Sequence, residues 1–204
     1  MFMNKYLLIG VPMVFASVSA LADTDVALGK AVIATSGYYN SGSEVFPASN
    51  IVNGMTGDSG SPSNWSFWLS PSGQIPAYVT VDLGAEYSID WFNLQDTHNR
   101  GYFDRGTNAY SILASTDNVN YTTVVTDSFT PDAWRNLTWN TDAMASPLVA
   151  RYITFWGLTS YGGAGSVGLN ELEVFGTPAA VPEPATMAAL GLGALGLLIR
   201  RRRS

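Results

Sequence analysis

Between residues 23 and 176 no stretch sustains the apolar spacing of three and four that an amphipathic helix needs. What recurs is a short run rich in β-branched and aromatic residues, closed off by a cluster of turn formers. The runs are 31–35, 78–83, 87–95, 109–115, 121–126, 151–156 and 169–175. Several alternate with the period of a strand that buries one face: Val79, Val81 and Leu83 share one side, Tyr78, Thr80 and Asp82 the other. In the last run Leu172 and Val174 oppose Glu171 and Glu173. Thr116-Asp117-Asn118-Val119-Asn120 reads as a hairpin loop, because Asp and Asn tolerate left-handed backbone. Many short strands and no helices predict an antiparallel sandwich or barrel. Residues 36–73 form a long, polar, glycine-rich gap, and loops of that length in a compact domain usually carry function.

Both ends read as addresses. Lys5, an apolar run over 6–15 and Ala20-Leu21-Ala22 before Asp23 make a secretory signal peptide over 1–22, with cleavage after Ala22; the alternative is a buried N-terminal helix. At the other end stand Pro182-Glu183-Pro184, an uncharged stretch over 185–199 and four arginines from Arg200 to Arg203. As a helix that stretch reaches roughly 22 Å, short of the roughly 30 Å hydrocarbon core, and the arginines stay on the cytoplasmic side. Triplet, greasy helix and arginine cluster in this order resemble the PEP-CTERM sorting signal of Gram-negative bacteria. The resemblance covers 181–204 and implies residence in the inner membrane before recognition by an exosortase, in an organism that makes extracellular polysaccharide. An ordinary tail anchor that is never cut is the alternative. Residues 177–180 form a short proline-containing linker.

Without its ends the chain keeps Lys30, Arg100, Arg105, Arg135 and Arg151 against fifteen carboxylates from Asp23 to Glu173. Such an acidic domain repels phosphate backbones, so nucleic acid is not an expected partner. With no cysteine, the chain has neither disulfides nor thiolate chemistry. About 155 residues remain, enough for one domain with its own core.

Six segments, in order, resemble the discoidin domain, also called the coagulation-factor type C or galactose-binding-like domain. They are Ala27-Leu28-Gly29-Lys30-Ala31-Val32, Ala48-Ser49-Asn50-Ile51-Val52-Asn53-Gly54, the stretch Val81-Asp82-Leu83-Gly84 on to Asp90, Ser115-Thr116-Asp117-Asn118-Val119-Asn120-Tyr121, Ala150-Arg151-Tyr152-Ile153, and Leu169-Asn170-Glu171 on to Gly176. The resemblance implies an eight-stranded antiparallel jelly-roll β-sandwich over 23–176, flanked here by the signal helix and the short C-terminal helix. It also implies non-catalytic binding of glycans or other surface ligands, and one structural Ca2+. Calcium takes six to eight oxygens; the matching positions are Asn50 and Asn53 in an early loop and Glu171 in the last strand. Ser63, two before Trp65, matches a position that often coordinates. The family's usual Asp-Gly is Asn53-Gly54 here, one negative ligand fewer.

The candidate sugar site is the loop that follows Gln95, which supplies His98, Arg100 and Arg105 with Tyr102 and Phe103. Sugars need planar donors for vicinal hydroxyls and an aromatic face for the apolar side of the ring. Related sugar-binding members, fucose-binding lectins among them, begin this loop with Asn-Arg-Gly, as here, but carry a cysteine pair where Tyr102-Phe103 stands. Arg100 and Arg105 have a second reading, as salt bridges to Asp96 or Asp104 that pin the loop. Trp65, Trp68 and Tyr161 are either an aromatic wall or core plugs. An enzyme is not expected: His98 is the only histidine and no Gly-x-Ser-x-Gly elbow occurs. The expectation is an exported, non-catalytic carbohydrate-binding or adhesive module, sorted to the cell surface or polysaccharide matrix and partnered by extracellular glycan. The alternative is a structural biofilm-matrix protein that keeps the sandwich without binding sugar.

Overall fold

The computed structural model describes residues 24–130, 137, 139–163 and 165–180. The expected signal helix, the motif Pro182-Glu183-Pro184 and the C-terminal helix lie outside them. In chain order the strands are β1 (Thr24–Asp25), β2 (Ala31–Thr35), β3 (Gly60–Ser61), β4 (Asn64–Trp65), β5 (Trp68–Leu69), β6 (Ala77–Gln95), β7 (Ala109–Ser115), β8 (Thr122–Ser128), β9 (Trp139–Gly157), β10 (Gly168–Leu169) and β11 (Glu171–Pro178). All their pairings are antiparallel. Short 3-10 turns cover Ala48–Val52 and Asn99–Gly101.

The two nineteen-residue strands organise an all-β antiparallel sandwich. β6 and β9 pair along their lengths with a break in register between Asp82 and Tyr87. Before the break they lie between β2 and β7, with β8 beyond; after it, β6 lies between β9 and β11, with β1 beyond. Runs 78–83 and 87–95, expected as separate strands, are therefore one strand that turns a corner. Gly84 makes the corner at φ +86°, where a side chain would be strained. The Asp82 carboxylate accepts the Gly84 N–H (2.8 Å) and both Nε and Nη2 of Arg151 (2.8 Å each).

The alternation read from the sequence is the alternation of the layers. Val79, Val81 and Leu83 are fully buried with Ile112, Ile153 and Phe155, and from the other layer come Ile89, Phe92, Leu94, Leu172 and Val174. Each such side chain contributes roughly 1.5–3 kcal/mol by leaving water. The hairpin loop 116–120 forms as expected. The Asp117 carboxylate accepts N–H groups of Val119 (2.9 Å) and Asn120 (2.8 Å) and the Ser115 hydroxyl (2.9 Å), bonds that hold its pKa far below the ordinary carboxylate range. Other boundaries differ too, and the run expected over 151–156 is the end of β9, which begins at Trp139. The last run is interrupted at Asn170, and β11 continues through Thr177 and Pro178, part of the expected linker, with Ala179 N–H donating to the Glu86 carbonyl (3.0 Å).

Candidate ligand-binding site

A small second core lies under the loops at one end of the sandwich. Phe46, Phe67 and Leu69 are buried together, and Tyr39 and Trp65 pack half-buried against them. Backbone bonds set this up across long separations: Tyr39 N–H donates to the Leu69 carbonyl (2.8 Å) and Phe46 N–H to the Tyr39 carbonyl (3.1 Å). The β3–β4 hairpin delivers Trp65, whose ring stacks on Phe46 at 6.4 Å and 7°.

Arg100 lies over this platform. Its guanidinium carbon is 4.5 Å from the Trp65 ring centroid, 5.3 Å from Tyr102 and 5.7 Å from Phe46. Nη1 and Nη2 both donate to Glu44 (2.6 and 3.2 Å), so the plane is clamped at one edge by a bidentate pair and on its face by aromatic rings. Arg105 sits 4.9 Å from Tyr39, with Nε 4.0 Å from Asp104. Phe103 meets His98 edge-on at 5.5 Å. Tyr102 is 66 % exposed, Phe103 39 %. The loop thus brings His98, Arg100, Tyr102 and Phe103 together with Trp65, and holds Arg105 against Tyr39.

A buried carboxylate shapes the loop from beneath. Asp58 Oδ1 accepts the Thr97 hydroxyl (2.7 Å) and the Asn170 amide (3.0 Å); Oδ2 accepts the main-chain N–H of His98 (3.0 Å) and Arg100 (2.9 Å). These bonds stabilise a costly backbone, since Asn99, Arg100 and Phe103 all have positive φ (48°, 58° and 54°). His98 Nδ1 lies 2.8 Å from Asp58 Oδ2 and accepts the Gly101 N–H at 2.9 Å. Burial pushes the Asp58 carboxyl above its ordinary range, against the pull of these donors. Asp96 is fully buried beside it, accepting Thr107 N–H (2.9 Å), and burial raises its pKa well above the usual value.

Of the expected cation positions, the 50–54 loop reaches Glu171 and Ser63 does not. Gly54 N–H donates to Glu171 Oε1 (3.1 Å), while Oε2 is buried with no hydrogen-bond partner; burial pushes the Glu171 carboxyl up to about 8. Asn53 Oδ1 accepts Met55 N–H (2.7 Å) and its amide reaches the Ser66 carbonyl (3.4 Å). Asn50 spends its amide on the carbonyls of Trp65 (2.6 Å) and Phe67 (3.0 Å). Ser63 stands apart, exposed in the β3–β4 turn. Among the described residues no group of three His, Cys, Asp or Glu is placed to hold a metal. The orphaned Glu171 oxygen fits a calcium ligand.

Several residues were not found from the sequence. Arg100 pairs with Glu44, not with Asp96 or Asp104, because residues 36–46 fold over the loop; Glu44 is the lone acid in 36–57, a signal that was there to use. Asp58 lies in the long polar gap over 36–73, where the sequence singled out no acid. Ser66-Phe67-Trp68 has the same Ser-x-Trp spacing as Ser63-Asn64-Trp65, and it is Ser66 that faces Asn53 and donates its hydroxyl to Asn170 (3.1 Å). The three proposed wall residues divide. Trp65 packs half-buried beneath Arg100; Trp68 is a core plug, edge-on to Phe155 at 6.3 Å; Tyr161 packs on the core and donates its hydroxyl to the Phe129 carbonyl.

The F5/8 type C domain profile matches residues 32–172, and the PEP-CTERM protein-sorting motif matches 180–203. Similar solved structures include CBM32-3 from a family 31 glycoside hydrolase from Clostridium perfringens (18 % identity, TM-score 0.61, covering 80 % of this chain and 100 % of that one). Another is the family 32 carbohydrate-binding module of C. perfringens NanJ in complex with galactose (19 %, 0.56, 76 % and 98 %). A third is the chitosan-binding module 1 of a chitosanase/glucanase from Paenibacillus (25 %, 0.55, 75 % and 99 %). No curated protein sequence matches the chain.

Proposed function

Since the chain belongs to the F5/8 type C domain family and ends in a PEP-CTERM sorting motif, we propose that it is an exported, non-catalytic carbohydrate-binding module, sorted by an exosortase to the cell surface or its polysaccharide matrix. The observation that carries this reading is Arg100, 4.5 Å over the Trp65 ring, held by Glu44 and flanked by the exposed ring of Tyr102. An aromatic surface beside a fixed planar cation offers a pyranose both the apolar face and the directional donors it needs. His98, Phe103 and Arg105 complete the site, and the ligand is an extracellular glycan or exopolysaccharide. Galactose in one similar module and chitosan in another support the ligand class. The eight-strand jelly-roll count, the signal helix over 1–22, the linker at 177–180 and a C-terminal helix that rests in the inner membrane until processing belong to the same proposal.

One structural Ca2+ belongs to it as well. Glu171 would supply the only carboxylate, with Asn53, Asn50 and Ser66 offering neutral oxygens in place of Ser63; the ion would tie the 50–54 loop to β11 and neutralise a buried charge. A glycan array and a pull-down with the organism's polysaccharide, each with calcium and with chelator, test the reading. Arg100→Ala with Arg105→Ala should weaken glycan binding at least tenfold. Unchanged retention on matrix would support the second reading, a structural biofilm-matrix protein, which one feature favours: both terminal nitrogens of Arg100 are already taken by Glu44.

A further inference from the structure

We propose that the outer face of the first layer is a second binding site, for an extended neutral polysaccharide chain. The face is concave, with a groove of about 490 Å3 running across β2, β6, β9 and β7, within the range of sites that hold small ligands. Its floor is two rows of side chains in strand register. Tyr78 and Trp156 are direct cross-strand neighbours, and both remain partly exposed, 38 % and 36 %, outside the apolar core. One pair further on, Thr80 and Thr154 are also direct neighbours, joined by a hydroxyl–hydroxyl bond of 2.8 Å.

The wall is rigid. It is built from the β7–β8 hairpin, where the Asp117 bonds fix Asn118 at φ +61°, and the Tyr121 hydroxyl donates to Asn118 Oδ1 (2.7 Å). No residue lining the groove is charged, in a domain whose acids outnumber its bases. A surface of adjacent aromatic rings, paired hydroxyls and one amide, without any charge, suits a neutral chain of sugars. A basic or acidic polymer would lack a counter-charge there.

Topology links the groove to the loop end. β2 leaves the sheet into residues 36–46, β6 enters at Ala77, β9 leaves at Gly157 and β7 enters from the 96–108 loop, all at the same edge. Tyr78 and Trp156 lie one residue inside that edge, beneath the loops carrying Tyr39, Glu44 and Arg100. The inference does not rest on the loop site: the two share no residue.

The test uses the full chain in detergent, with cellohexaose followed through the indole N–H signals by NMR; the Trp156 signal is the one absent from Trp156→Phe. It should move saturably in the parent and move equally in Arg100→Ala. In affinity electrophoresis, Tyr78→Ala with Trp156→Ala should weaken binding to hydroxyethylcellulose at least tenfold, with a melting temperature within a few degrees of the parent. A stationary Trp156 signal in the parent overturns the proposal even if the double variant misfolds. So does a movement abolished by Arg100→Ala, which would assign the effect to the loop. A concentration-dependent dimer lost on Trp156→Ala would make the face a contact between copies and overturn it too.

Discussion

The space between the two layers and the space under the loops are held together by different forces. Between the layers, Val79, Val81, Leu83, Ile112, Ile153 and Phe155 meet Ile89, Phe92, Leu94, Leu172 and Val174, and the work is done by apolar burial. Under the loops the buried apolar cluster is Phe46, Phe67 and Leu69, and the chain above them turns through positive φ at three non-glycine residues within five positions. So small a cluster does not repay that backbone strain. Directional bonds to the buried Asp58 do, at the cost of desolvating a carboxylate. The comparison teaches that the loops draw their stability from directional bonds of their own and not from the sandwich core.

If that division is right, damage should stay where it is made. Phe155→Ala, a large cavity at a fully buried position, should lower unfolding free energy by about 4 kcal/mol in chemical denaturation. Glycan affinity should stay within twofold so long as the protein is folded. Asp58→Ala should cost less, about 2–3 kcal/mol, because it strands an amide, a hydroxyl and two backbone N–H groups. Yet it should abolish glycan binding by releasing Arg100 from its seat on Trp65. Equal loss of affinity in both variants would break the comparison; intact affinity in Asp58→Ala would break the account of the loop.

The same division explains what was legible. The period-two pattern of Val79, Val81 and Leu83 marked the inward face of a strand because alternation is a local property of the backbone. The corner at Gly84 was not, since two strands and one bent strand differ only in whether β9 bends alongside. Asp117 was readable as a turn former because its bonds reach no further than Asn120. Glu44 and Arg100 are 56 residues apart, and Asp58 and Asn170 are 112 apart. No local period encodes such pairs, so the loop residues were found by resemblance and their partners were missed. Ser66 was missed for a different reason: two identical Ser-x-Trp spacings compete, and only burial of Trp68 decides between them.

The buried carboxylate at the calcium positions gives a pH signature that separates it from the core. The Glu171 carboxyl is raised to about 8, above its unfolded value near 4.3, so the folded state binds the proton more tightly than the unfolded state does. Its stabilising effect is complete below about pH 4 and is lost as pH rises toward 8, at a slope of at most about 1.4 kcal/mol per pH unit. In chelator, Glu171→Gln should remove a downward slope that the parent shows over that window, a difference of about 1 kcal/mol between pH 5 and 7 after allowing for relaxation. Asp25, Asp58 and Asp96 are raised too and slope the same way, so the difference between parent and variant is the quantity to measure. Calcium should flatten the parent curve and release a proton on binding near neutral pH. Identical parent and variant curves would remove Glu171 from the cation reading.

The smallest stability effect should come from Glu44→Gln. The Glu44–Arg100 pair is only partly buried, so losing its charge should cost about 0.5 kcal/mol or less. Its effect on binding has a sign that sharpens the loop account. Glu44 occupies both terminal nitrogens of Arg100, and the guanidinium keeps its place over Trp65 between that clamp and the Asp58 bond to its own backbone. If the clamp positions the cation for a ligand, Glu44→Gln should weaken glycan binding several-fold while denaturation midpoints barely move. If the clamp instead withholds donors that a sugar would use, the variant should bind more tightly, and the paired arginine belongs to a structural loop. Isothermal titration of parent and variant against the same glycan, at one ionic strength, reads the sign directly.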